Sequence, residues 1–138
     1  MSVLHQIADW LGVPPMRSEG HVLQIVEEQL PTSAIKRLLA LGLTRQELDA
    51  LVIPLRTLQH RRSKREKLTI EESDRVLRVV RLLSQAETVY GSRERALEWL
   101  RRPMSRLQNR APLDLMRTGT GARIIEELLV QIDEGMFV

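Results

Sequence analysis

Apolar residues recur along this chain at three- and four-residue intervals, with no sustained alternation, which predicts helices throughout and no strand. Val3–Leu11 and residues 21–30 read as two short amphipathic helices, separated by the breaker Gly12-Val13-Pro14-Pro15. After Pro31, Thr32 is placed to cap a helix through Leu41 with Ile35, Leu38 and Leu39 on one face, and Gly42 ends it. Thr44 and Glu47 have the spacing of a capping box ahead of a helix that turns Leu48, Leu51 and Val52 inward. Ile53-Pro54 interrupts the pattern, and Pro54 suits the first position of a third helix running to about Ser63. That helix points Leu55 and Leu58 inward and Arg56, Thr57, Gln59 and His60 outward.

Residues 64–68 form a basic connector. Thr69 and Glu72 make a second capping box for the longest helix, residues 70–90, with Val76, Val79, Val80, Leu83 and Ala86 as its buried stripe. Gly91 stops it, and Ser92 caps a helix carrying Ala96, Leu97, Trp99 and Leu100 that ends at Pro103. Ala111-Pro112 opens a short helix, residues 118–121 form a turn, and residues 122–134 form the last helix before Gly135. The chain thus divides into a helical extension (1–29), a helix-turn-helix (30–67) and a second helical domain (68–138).

Composition agrees with an all-α reading. Hydrophobic residues make up 43% but aromatics only 3%, so the core must be aliphatic. Cysteine is absent, which removes disulfides, thiolate nucleophiles and cysteine-based zinc sites. No apolar run approaches the roughly 20 residues that span a bilayer. Residues 1–11 carry Asp9 and no basic side chain, unlike a signal peptide. A cytoplasmic protein without membrane contact is expected.

Charge changes the picture more than composition does. The net charge is +3, yet residues 54–67 hold six basic side chains against Glu66 alone. The flanking stretches are slightly acidic or neutral. This excess lies on the third helix of the helix-turn-helix and its exit, the element that enters the major groove in such motifs. Arg56, Thr57, Gln59 and His60 offer groups that meet base edges; Arg61, Arg62, Lys64 and Arg65 sit where phosphates are neutralised. Reading of operator DNA by a homodimer is the expectation.

Catalytic candidates do not assemble. His5, His21 and His60 lack metal-ligand spacing, and the adjacent pairs Glu71-Glu72 and Glu126-Glu127 cannot converge on a helix. Gly119-Thr120-Gly121 lacks the strand and longer glycine loop of a phosphate site. No enzyme activity, metal, cofactor or small-molecule substrate is expected.

From Leu43 onward the chain carries Val52-Ile53-Pro54, Arg56-Thr57-Leu58, His60-Arg61, Leu68 and Glu71-Glu72-Ser73-Asp74-Arg75. The series continues through Ala96, Trp99-Leu100, Pro103, Leu107, Pro112-Leu113-Asp114-Leu115, Gly121-Ala122, Ile132 and Gly135. In this order and spacing these residues resemble the Xre/MbcA/ParS antitoxin family. The resemblance implies a Cro-type helix-turn-helix followed by a helical toxin-binding domain. The implied partner is a RES-family toxin that consumes NAD, inhibited by covering its active site, and the implied target is the shared promoter. Leu107-Gln108-Asn109 departs from the family, where a glycine or two is common, and a less tight turn is expected there. The tail Gly135-Met136-Phe137-Val138, with the chain's single Phe, is the candidate toxin contact. A stand-alone repressor with a helical dimerisation domain, and a polarity or partition adaptor binding only protein, are the alternatives.

Overall fold

Short polar side chains fix where most helices start in this computed structural model, which describes residues 2–135. Ser2 Oγ accepts from the His5 amide and opens α1 (Val3–Leu11), which Gly12 closes at φ +67°. Ser18 does the same for α2 (Glu19–Glu27), two residues before the expected start at His21. The helix also stops short of Leu30, because Gln29 turns left-handed at φ +65°. Leu30 instead enters the core, its amide donating to the fully buried Ser73 Oγ at 2.9 Å.

Thr32 does not cap α3 (Ala34–Ala40); the chain enters that helix through turn bonds from the Ala34 and Ile35 amides to the Pro31 and Thr32 carbonyls. Both predicted capping boxes form. Thr44 and Glu47 start α4 (Arg45–Leu51), and Thr69 and Glu72 start α6 (Ile70–Tyr90). Between them Pro54 is the N-cap rather than the first residue of α5 (Leu55–Ser63). The later helices are α7 (Arg93–Leu100), α8 (Pro112–Leu115) and α9 (Gly119–Asp133). Among the described residues the fold is all-α, with one isolated bridge between Met104 and Arg110 and no strand.

The chain divides into two compact units between Val80 and Arg81, inside α6 and not at the basic connector. In the first unit α1 packs against α3, so the N-terminal extension is part of this body. Ile7, Leu11, Leu38, Leu48, Val52, Leu58, Leu68 and Val76 are buried there. Leu68 and Leu30 are joined by an amide-to-carbonyl bond of 2.9 Å, and Gln29 Nε2 donates to the Leu68 carbonyl.

In the second unit α8 packs on both α7 and α9. Its core holds Leu83, Ala86, Leu97, Leu100, Met116, Ile125 and Leu129. Trp99 is buried as well, with its ring centroid 5.5 Å from that of Tyr90. The α6 stripe is wider than predicted: Leu77 and Leu82 are buried alongside the five expected residues.

Two turns in this unit differ from expectation. Thr118 Oγ1 accepts from the Gly121 amide at 2.9 Å, so residues 119–121 are the first turn of α9 and not a loop. The departure at Gln108-Asn109 is a tight turn, with φ +58° and +62° and with Met104 bonded to both Asn109 and Arg110. Two consecutive non-glycine residues are therefore left-handed, where a side chain costs roughly 1–2 kcal/mol. Gln108→Gly is expected to raise stability by about 1 kcal/mol, read as a higher urea midpoint at unchanged slope.

Candidate functional site

Three independent contacts hold α5 and the turn that leads into it. Asp49 Oδ1 accepts from the Leu55 amide at 2.8 Å and satisfies the first orphan donor of α5. Arg75 Nη1, on α6, donates to the Val52 carbonyl at 3.0 Å and so ties the end of α4. Arg61 then clamps the far end of α5: its Nε and Nη2 reach the two oxygens of Glu72 at 2.8 and 3.0 Å. The helix presented to solvent is thus fastened at entry, turn and exit.

Burial on α5 defines the face that remains. Leu58 is buried, Thr57 and Arg61 are half-buried, and Arg56, Gln59, His60, Arg62 and Ser63 are exposed. At 100° per residue the exposed positions form one continuous arc centred near Gln59, Ser63 and Arg56. Thr57 stands at the edge of that arc.

The six cations of residues 54–67 separate into two sets. Arg61 is committed to Glu72, and Lys67 Nζ donates to the Glu28 carbonyl at the end of α2. Arg56, Arg62, Lys64 and Arg65 are exposed and form no ion pair among the described residues. Arg61, assigned above to phosphates, thus acts inside the fold in this structure.

The basic connector is also more ordered than a linker. The Glu66 amide donates to the Arg61 carbonyl at 2.9 Å, five residues back, and Arg65 is left-handed at φ +55°. This is the bonding of a Schellman terminator, with arginine where glycine is usual. It fixes Lys64 and Arg65 relative to the exposed arc.

Burial pushes the Glu72 carboxyl up. The Arg61 hydrogen bonds and the Thr69 amide outweigh that and hold it below the ordinary glutamate range. Charge on both partners is therefore part of the folded state.

The described residues contain no cluster of His, Asp and Glu able to hold a metal. No helix among them is long and apolar enough to cross a membrane. At the other end, Gly135 follows α9 in the left-handed region at φ +74°, as a helix stop should. Met136, Phe137 and Val138, the rest of the candidate toxin contact, lie outside the described residues.

The comparisons with known proteins follow this division. Residues 21–81 match the antitoxin Xre-like helix-turn-helix domain. Residues 85–135 match the antitoxin Xre/MbcA/ParS C-terminal toxin-binding domain. An Antitoxin Xre of Pseudomonas putida is 33% identical over 126 residues, covering 91% of this chain and 79% of its own. The chain belongs to the Xre antitoxin family. An Antitoxin Xre of Yersinia enterocolitica is 35% identical over 91 residues, 65% of this Xre-family chain and 62% of the relative. A Sphingobium protein named Prs ADP-ribosylating antitoxin is 27% identical, covering 82% and 78%. This Xre-family protein therefore pairs a helix-turn-helix with a toxin-binding type of C-terminal domain.

Sequence reasoning missed Asp49 and Arg75 as the groups that set the α4–α5 turn. It also missed Lys36 and Arg45, which line a groove beside Leu55 and Arg62. Neither cation stands in a charge run, so only the fold brings them beside α5.

Proposed function

We propose that this antitoxin acts in the cytoplasm as a homodimer that binds the operator of its own operon. It also neutralises a RES-family toxin that consumes NAD, by covering the toxin's active site. The observation that carries the DNA half is the exposed arc of α5, bordered by four cations without ion pairs. Gln59 and Arg56 supply bidentate groups for adenine and guanine, with Thr57 and His60 beside them. Arg62, Lys64 and Arg65 take phosphates. A two-fold operator calls for two copies of the helix one turn of DNA apart.

The toxin half rests on the family match over residues 85–135. The Sphingobium relative's name joins an antitoxin to ADP-ribosylation, chemistry that uses NAD, which supports the same class of toxin here. Gly135 ends α9, and the apolar Met136-Phe137-Val138 that follow it in sequence supply the plug for an NAD cleft.

Arg56→Ala or Gln59→Ala is expected to reduce operator affinity by roughly 10-fold or more while sparing nonspecific binding. Lys64→Ala should weaken all DNA binding and lower the salt slope by about one. Gel shifts across salt concentrations check both, and unchanged operator affinity in the two base-facing variants rejects α5 as the reader. Deleting residues 136–138 is expected to leave DNA binding intact and restore NAD consumption by the co-purified toxin. Full inhibition by the truncated protein rejects the plug.

A further inference from the structure

Leu55 is where helical periodicity and the structure part company. The period of α5 sets it inward with Leu58, yet it is 40% exposed while Leu58 is 4%. Its backbone is not loose, since Asp49 accepts its amide at 2.8 Å and fixes the first turn of the helix. Leu55 lies one turn before Gln59 on the same ridge and next to Arg56 in sequence. It borders a groove whose polar lining includes Lys36, Arg45 and Arg62.

A part-exposed leucine on the arc that carries Gln59, with Lys36, Arg45, Arg62 and Asp49 around the same groove, offers an apolar contact to a polyanion. The major groove offers a matching group, the C5-methyl of thymine. We infer that Leu55 is a specificity-determining residue that packs against a thymine methyl near the base read by Gln59. The separation follows from helix geometry. Four residues rise about 6 Å, which spans one to two base pairs at about 3.4 Å each. The inference rests on the proposal that α5 reads DNA.

The experiment uses the full chain and duplexes selected in vitro for binding to it. Each thymine is replaced singly by deoxyuridine, which removes the methyl and leaves every hydrogen-bonding group in place. At one position per half-site the wild-type affinity should fall about fourfold, the effect of withdrawing one buried methyl. Leu55→Ala should bind the thymine and deoxyuridine duplexes equally at that position, and Leu55→Met should retain the difference. A methyl effect of equal size in wild type and Leu55→Ala overturns the inference, as does a wild-type series with no methyl-sensitive position. Failure of the wild type to select or bind any duplex would overturn the DNA-binding reading itself, a separate result. The deoxyuridine series on wild type reads the contact without any variant, so poor folding of a Leu55 substitution cannot hide the answer.

Discussion

Gly121→Ala is expected to destabilise the second unit by about 3 kcal/mol or more. The direction is opposite to what helix propensity alone gives, since alanine for glycine inside a helix ordinarily stabilises by up to about 1 kcal/mol. The reason is contact. A Cβ on Gly121 would collide with the Leu115 carbonyl oxygen, come within 2.8 Å of its carbon and within 3.1 Å of Thr118 Oγ1. The first two atoms are backbone at the end of α8 and cannot rotate away. Thr118 is itself held by the Gly121 amide as the α9 cap. Relief therefore requires α9 to move off α8 and open the packing around Met116 and Ile125, both fully buried. A melting temperature lower by on the order of 10 °C is the expected reading. A melting temperature equal to or above wild type would show that α8 and α9 are not in this close approach.

Arg61→Ala is the second large effect, about 2–3 kcal/mol, and it is not a surface effect. Glu72 is 6% exposed, and both its oxygens accept from Arg61. Truncating the arginine leaves a buried carboxylate served by Thr69 without a counter-charge on its oxygens. Arg61→Lys should recover only part of the loss, because an ammonium cannot meet both oxygens in plane.

The sign with pH is also fixed. In the wild type the Glu72 carboxyl is held below its unfolded value, so its stabilisation is full above the ordinary glutamate range and fades as pH falls through the lowered folded value. In Arg61→Ala burial is left without its main counterweight, so the carboxyl moves upward, its acid-sensitive loss shrinks or reverses, and the stability gap to wild type narrows as pH falls. Urea midpoints from about pH 3 to about pH 7 test this. Parallel curves for the two proteins would show that the ion pair does not set the carboxyl.

Much of this molecule is legible in its sequence because its helix boundaries are written in local chemistry. Thr44-Glu47 and Thr69-Glu72 announce their helices by spacing alone, and Gly12, Gly91 and Gly135 mark ends with the left-handed backbone that glycine allows. What escapes is whatever depends on distant partners. Leu30 leaves α2 for Ser73, 43 residues away, and no pattern around Leu30 records that bond. Arg61 stands in a charge run and reads as one more phosphate ligand until Glu72 is brought beneath it. Leu55 has the period of a core residue, and only the placement of α5 exposes it. The exposed arc was found because charge density is a one-dimensional signal, whereas Asp49 and Arg75 carry no such signal and hold that arc in place.

The left-handed arginine at position 65 sets two demands against each other at a single torsion. Glycine would sit there without strain, relieving roughly 1 kcal/mol, but would remove one of the exposed cations beside α5. A lineage pressed toward heat resistance would gain by exchanging this residue, and in doing so would thin the positive surface at the exit of α5. Robustness and surface charge are thus not independently adjustable in this protein: the backbone at that exit makes each improvement in one a concession in the other.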